Sequence, residues 1–116
     1  MNPTKVNRGL AILSFVILQC ISAFATVTIN TQPAALTTAV DGAKVTMQVS
    51  ALSGLPLTYR WWKDGTALST TTSTSNQLVF SAVKGSDAGS YYAQIYENGI
   101  NPVNTTSAIL VVNVRP

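Results

Sequence analysis

The stretch QLVFSAVKGSDAGSYYAQI, residues 77–95, decides how this chain folds. Leu78 and Phe80 alternate with polar neighbours, the period of a half-buried strand, and Lys84-Gly85-Ser86-Asp87 supplies turn residues. Tyr91, Ala93 and Ile95 then put apolar side chains on every second position again. Two strands joined by a tight corner are the expectation.

The same period runs outward in both directions. Towards the N-terminus, Leu57, Tyr59 and Trp61 line one side of a strand closed by Asp64-Gly65, a hairpin turn signal. Before it, Val45, Met47, Val49 and Ala51 alternate with Thr46, Gln48 and Ser50, and Val27 and Ile29 begin a strand ended by Gln32-Pro33. Leu68 reads as part of a short edge strand, and the Ser/Thr run from Ser69 to Ser75 as a solvated loop. Towards the C-terminus, Asn98-Gly99 suits a primed hairpin turn, and Ala108, Leu110, Val112 and Val114 form a last strand. With no helical period, about seven to eight short strands predict an all-β sandwich.

The first 25 residues read differently. Lys5 and Arg8 precede Gly9 to Ala25, GLAILSFVILQCISAFA, which is almost wholly apolar or small. This is the pattern of a cleavable secretory signal peptide, with Ala23 and Ala25 as the small residues before a cut at Thr26. An apolar run of about 17 residues is at the short limit for a membrane span, so none is expected to remain after cleavage. Cys20 follows Leu18-Gln19, a poor match to the small residues that precede a lipidated cysteine. The expected division is a signal peptide over 1–25 and one domain over 26–116, which is secreted to a periplasmic, cell-surface or extracellular destination.

Removing the leader changes the chemistry of the totals. The 116-residue chain carries a net charge of +3, 47% hydrophobic residues, one cysteine and no histidine. After Ala25 there remain five cations, four acids and no cysteine. Net basicity is therefore no argument for nucleic acid, and no phosphate-binding glycine loop occurs. Without histidine or cysteine there is no catalytic triad and no donor set for zinc. Asp41, Asp64, Asp87 and Glu97 show no spacing of a paired acid and base. No catalytic, cofactor-binding or metal-ligating residue is expected, and the chain reads as a non-enzyme.

Four segments together resemble the immunoglobulin-like superfamily, closest to intermediate-set domains of bacterial secreted and surface proteins. They are INTQPAALTTAVDGAKVTMQVSA (29–51), PLTYRWWKDGTAL (56–68), QLVFSAV (77–83) and DAGSYYA (87–93). The resemblance implies a Greek-key β-sandwich over nearly the whole chain after the leader. Trp61 matches the core tryptophan of the family's strand C, and Tyr91 its corner tyrosine, whose hydroxyl bonds to the backbone of the preceding turn. Asp87 shapes that turn by accepting local amide bonds, and Gly89 by permitting an unusual dihedral or a close approach. The family's inter-sheet cysteines fall on Val49 and Ala93, so packing must replace the bridge, and the fold is expected to be stable under reducing conditions.

Immunoglobulin folds host many functions, but parity separates the two outer faces. The sheet containing the family's strands B (Val45–Ala51) and E (Gln77–Val83) should expose Thr46, Gln48, Ser50, Gln77, Val79 and Ser81, an ordinary solvated set. The sheet containing the family's strands C (Leu57–Trp61), F (Tyr91–Ile95) and G (Ala108–Val114), the C–F–G sheet, should expose Arg60, Trp62, Tyr92, Gln94, Tyr96, Ile109 and Val111, with Trp62 of opposite parity to Trp61. Aromatic and arginine side chains dominate interface hot spots, so Arg60, Trp62, Tyr92 and Tyr96 are the expected contacts for a protein partner, a neighbouring copy or another domain. The rings could instead stack on a glycan, or merely cover the sheet in a spacer unit of a tandem surface protein. Asn104-Thr105-Thr106 is formally a glycosylation sequon, which in a bacterial chain would be chance.

Overall fold

The computed structural model describes residues 26–115. The leader reading of residues 1–25, with Cys20, lies outside them.

Ten strand segments build two facing layers, the first made of two two-stranded sheets and the second of one six-stranded sheet. In the first, β1 (Thr28–Thr31) pairs antiparallel with β4 (Ser50–Leu52), and β3 (Val45–Gln48) pairs antiparallel with β7 (Gln77–Phe80). In the second, the order is β2 (Leu36–Val40), β10 (Ala108–Asn113), β8 (Gly89–Glu97), β5 (Leu57–Lys63) and β6 (Thr66–Ala67), with β9 (Ile100–Asn104) also on β8. The expected strand over Val45–Ala51 is cut in two, giving β3 and β4. The chain between β3 and β4 breaks at Val49, whose N–H donates to the Asn76 carbonyl while its own carbonyl accepts the Asn76 side-chain amide. A ladder bond is lost there, yet neither buried backbone group goes unpaired.

The segment β2 is absent from the sequence reading. Its residues LTTAV are exposed or half-buried throughout, so no apolar alternation marks it. Its ladder comes from a long-range partner: it lies parallel to β10, Leu36 beside Ile109 and Asn113 beside Val40. Gln32-Pro33 separates β1 from β2 and lets the chain leave one sheet for the other. The edge near Leu68 also differs slightly, since β6 ends at Ala67 and Leu68 is exposed. Within the Ser/Thr loop, Ser73 exchanges two backbone bonds with Tyr59 at the free edge of β5.

The core is shared by both sheets. Val45, Met47 and Val49 face Tyr59, Trp61, Tyr91, Ala93, Ile95, Ala108 and Leu110, and Val83 closes the end from the loop after β7. Phe80 meets Tyr91 edge to face, with ring centroids 5.7 Å apart. Between β9 and β10 the strand bulges at Thr105 to Ser107. There the Thr105 hydroxyl accepts the buried Ala93 N–H at 2.9 Å and donates to the Thr106 carbonyl, restoring a bond that the bulge removes.

Candidate functional site

Two primed turns hold the site strands in register. Asp64 and Gly65 adopt φ of 48° and 84°, and Asn98 and Gly99 50° and 80°, the left-handed geometry that matches strand twist. The first turn closes β5 onto β6 and the second closes β8 onto β9. Between them β5 and β8 pair over seven positions, with Trp61 opposite Ala93, Trp62 opposite Tyr92, Arg60 opposite Gln94 and Thr58 opposite Tyr96. Directly paired residues share a face, so Trp61 and Ala93 point into the core while Trp62, Tyr92, Arg60, Gln94 and Tyr96 point out.

These outward residues form one connected row. Trp62 and Tyr92 stack with centroids 5.9 Å apart and planes 6° from parallel. The Trp62 indole N–H donates to Gln94 Oε1 at 2.9 Å, and the Tyr96 hydroxyl donates to the same oxygen at 2.8 Å. Arg60 lies 5.7 Å from the centre of the Tyr96 ring and donates from Nη2 to the Thr70 carbonyl at 3.1 Å. All five side chains are half-buried rather than freely exposed, because each ring covers its diagonal neighbour. Exposed Ile109 and Val111 continue the face across β10, and Leu36 and Val40 continue it across β2. Gln94, which the sequence places among the outward residues but not among the expected contacts, is the hub of the row. Only its distance to two strands' side chains reveals it.

The opposite outer face is polar. Thr46, Gln48, Gln77, Val79 and Ser81 are exposed there, Ser50 is half-buried, and the Gln77 amide reaches Gln48 Oε1 at 3.3 Å.

Val49, Trp61, Tyr91 and Ala93 are all buried, Val49 and Ala93 completely. The Tyr91 hydroxyl donates to the Asp87 carbonyl, and the Asp87 carboxylate accepts the Lys84 N–H at 2.9 Å across the 3-10 turn Gly85–Asp87. Gly89 is needed for close approach: a Cβ there would stand 2.6 Å from Asp64 Oδ2, whose partner oxygen accepts the Ser90 N–H at 2.9 Å. Burial pushes the Tyr91 phenol up to about 12, with the negative charges of Asp87 and Asp64 acting in the same direction. The unfolded phenol ionises near 10. Between those values the unfolded chain binds fewer protons than the folded one, so stability present below pH 10 falls as pH rises towards 12. Alkaline titration of the melting temperature should show this decline, and Tyr91→Phe should remove its share of it; an identical alkaline profile in the variant would show that Tyr91 contributes none.

Beside the turn between β8 and β9 lies a cleft of about 260 Å³ lined by Thr26, Val27, Glu97, Asn101 and Val103. Glu97 shares the inward parity of Tyr91, Ala93 and Ile95, and is 4% exposed. Its Oε2 accepts the Ser53 hydroxyl at 2.6 Å. That parity was the available sequence signal for Glu97. Asn104 is exposed, while the Thr106 hydroxyl of the sequon lies 3.3 Å from Gln32 Oε1. Among the described residues no three His, Cys, Asp or Glu side chains gather as a metal site, and no helix is long and apolar enough to cross a membrane.

No protein-family model and no curated protein matches the chain. Solved structures do. Sidekick-1 immunoglobulin domains 1–5 superpose with a TM-score of 0.70 at 18% identity, over 76% of this chain and 18% of that one. Extracellular domains 3–5 of Drosophila OTK give 0.66 at 22%, over 77% and 35%. The titin M10–obscurin-like 1 Ig complex gives 0.67 at 19%, over 80% and 99%. This chain thus spans well under half of the Sidekick-1 and OTK chains, and at such identities the likeness concerns the fold. The described residues have the all-β sandwich fold of immunoglobulin domains.

Proposed function

We propose that the chain is an exported, non-catalytic recognition module that binds a protein partner through the outer face of the β5–β8–β10 sheet. Residues 1–25 direct export and are removed, and the domain works in the periplasm, at the cell surface or in the medium. Arg60, Trp62, Tyr92 and Tyr96 are the contacts. The observation that carries this reading is the connected row centred on Gln94, in which stacking and hydrogen bonds already hold one indole and two phenol rings in place. Rings held in one arrangement lose less rotamer freedom when a partner covers them, which lowers the cost of association. The apolar side chains of Ile109 and Val111 lie beside that row and extend the area a partner could bury.

The test is capture from the native secretome with the processed protein, together with sedimentation for a second copy and a glycan array for sugars. The double variant Trp62→Ser, Tyr96→Ser should weaken whichever binding is found by roughly 30-fold or more, the size of a hot-spot loss. Circular dichroism should still report a folded sandwich. Undiminished binding by the folded variant would sink the reading.

A spacer role in a tandem surface protein is supported by a different observation. The Trp62 indole N–H and the Tyr96 hydroxyl both end on Gln94, so these two groups are satisfied without a partner. Several similar structures are multidomain segments. Further sandwich repeats in the reading frame downstream of Pro116, with no binding lost in the double variant, would favour that role.

A further inference from the structure

Glu97 is the one buried acid among the described residues, and the sandwich core offers it no cation. Among the described residues its side chain has one hydrogen bond, from the Ser53 hydroxyl. A carboxylate taken out of water and left without an opposite charge is costly, and a neutral hydroxyl compensates only part of that cost. The cleft beside Glu97 is lined by Thr26 and Val27, so the chain's own approach to β1 passes the carboxylate.

We infer that Glu97 is the docking site for the α-ammonium of Thr26, a group that exists only after the leader is removed. Hydrolysis of the Ala25–Thr26 peptide bond by a leader peptidase consumes one water. The carboxylate leaves with Ala25, and the amine stays on Thr26 and takes up a proton at neutral pH. Before cleavage that nitrogen is an uncharged amide with one hydrogen to donate; afterwards it is a cation with three. Val27 and Val103 line the cleft beside the buried carboxylate, and an ammonium seated there makes a charge-assisted hydrogen bond to it. Processing would then complete the end of the sandwich that carries Ser53 and the turn between β8 and β9, locking β1 to β8 across the two sheets. The inference rests on the export reading proposed above.

The experiment uses the precursor expressed in a secreting bacterium and purified after processing, as wild type and as Glu97→Gln. Intact mass and N-terminal sequencing first identify the leading residue. Cyanate near pH 7 then carbamylates the α-amine selectively, because lysine amines, with pKa near 10.4, remain protonated. A docked amine should react at least roughly tenfold more slowly in native wild type than in native Glu97→Gln or in guanidinium-unfolded wild type. Carbamylation should lower the wild-type melting temperature by about 4–8 °C and that of Glu97→Gln by much less. Should Glu97→Gln fail to fold, the native-to-unfolded rate ratio and the melting shift of wild type still decide. A first residue other than Thr26 overturns the inference through the export reading. A Thr26 start with equal native and unfolded rates, or with no melting shift, overturns the docking alone.

Discussion

Replacing Trp61 with alanine is expected to lower the unfolding free energy by about 3–5 kcal/mol, the range for truncating a buried aromatic side chain. Domains of this size are stable by about 5–15 kcal/mol, so the loss would leave the fold marginal. The expectation follows from position. Trp61 is 7% exposed, pairs with Ala93 across β5 and β8, and packs in the same cluster as Val49 from the facing sheet. Its opposite residue, Ala93, is a small apolar side chain and cannot itself fill the cavity. Urea unfolding would read the change. Trp61→Phe is the informative companion: the indole N–H is buried without a hydrogen-bond partner among the described residues, so phenylalanine keeps most of the apolar contact and removes that unpaired donor. It should cost far less than alanine. Equal losses for both variants would mean that indole-specific packing outweighs the burial term.

The opposite effect is expected at the neighbouring positions. Changing Val49 and Ala93 together to cysteine should allow an inter-sheet disulfide, since both side chains are fully buried in one cluster from opposite sheets. It would close a loop of about 44 residues, for which loop-closure entropy predicts close to 4 kcal/mol, and native strain usually trims such gains. The oxidised double variant should therefore melt well above wild type, and reductant should abolish the gain. Wild type after Ala25 has no cysteine, so its own melting temperature should not move with reductant. An oxidised variant no more stable than the reduced one would show that the sheets at Val49 and Ala93 are not spaced for the bridge.

Most of the strand pattern could be read directly because its signals are local. Asp64-Gly65 and Asn98-Gly99 mark their turns through residues that tolerate positive φ, and both adopt it. Val45, Met47 and Val49, and Tyr91, Ala93 and Ile95, are buried on the faces their alternation marks. By contrast, β2 could not be read, since its residues bury little and its ladder depends on β10, about seventy residues away. The bulge that puts Thr105 against Ala93 was equally silent, because a one-residue insertion leaves no compositional trace.

The division for the candidate site follows the same physics. Alternation and turn chemistry, which depend only on neighbours in the chain, determined by sequence alone that this is a sandwich and that Trp61 and Trp62 point to opposite sides. Tertiary structure decided everything that depends on the distance between strands: that Gln94 joins Trp62 to Tyr96, that Arg60 reaches both a ring and the Thr70 carbonyl, and that Glu97 is enclosed beside Thr26. A side chain's parity is a property of its own strand. Its partners are set by register, twist and bulges, which are fixed only when the sheets pack.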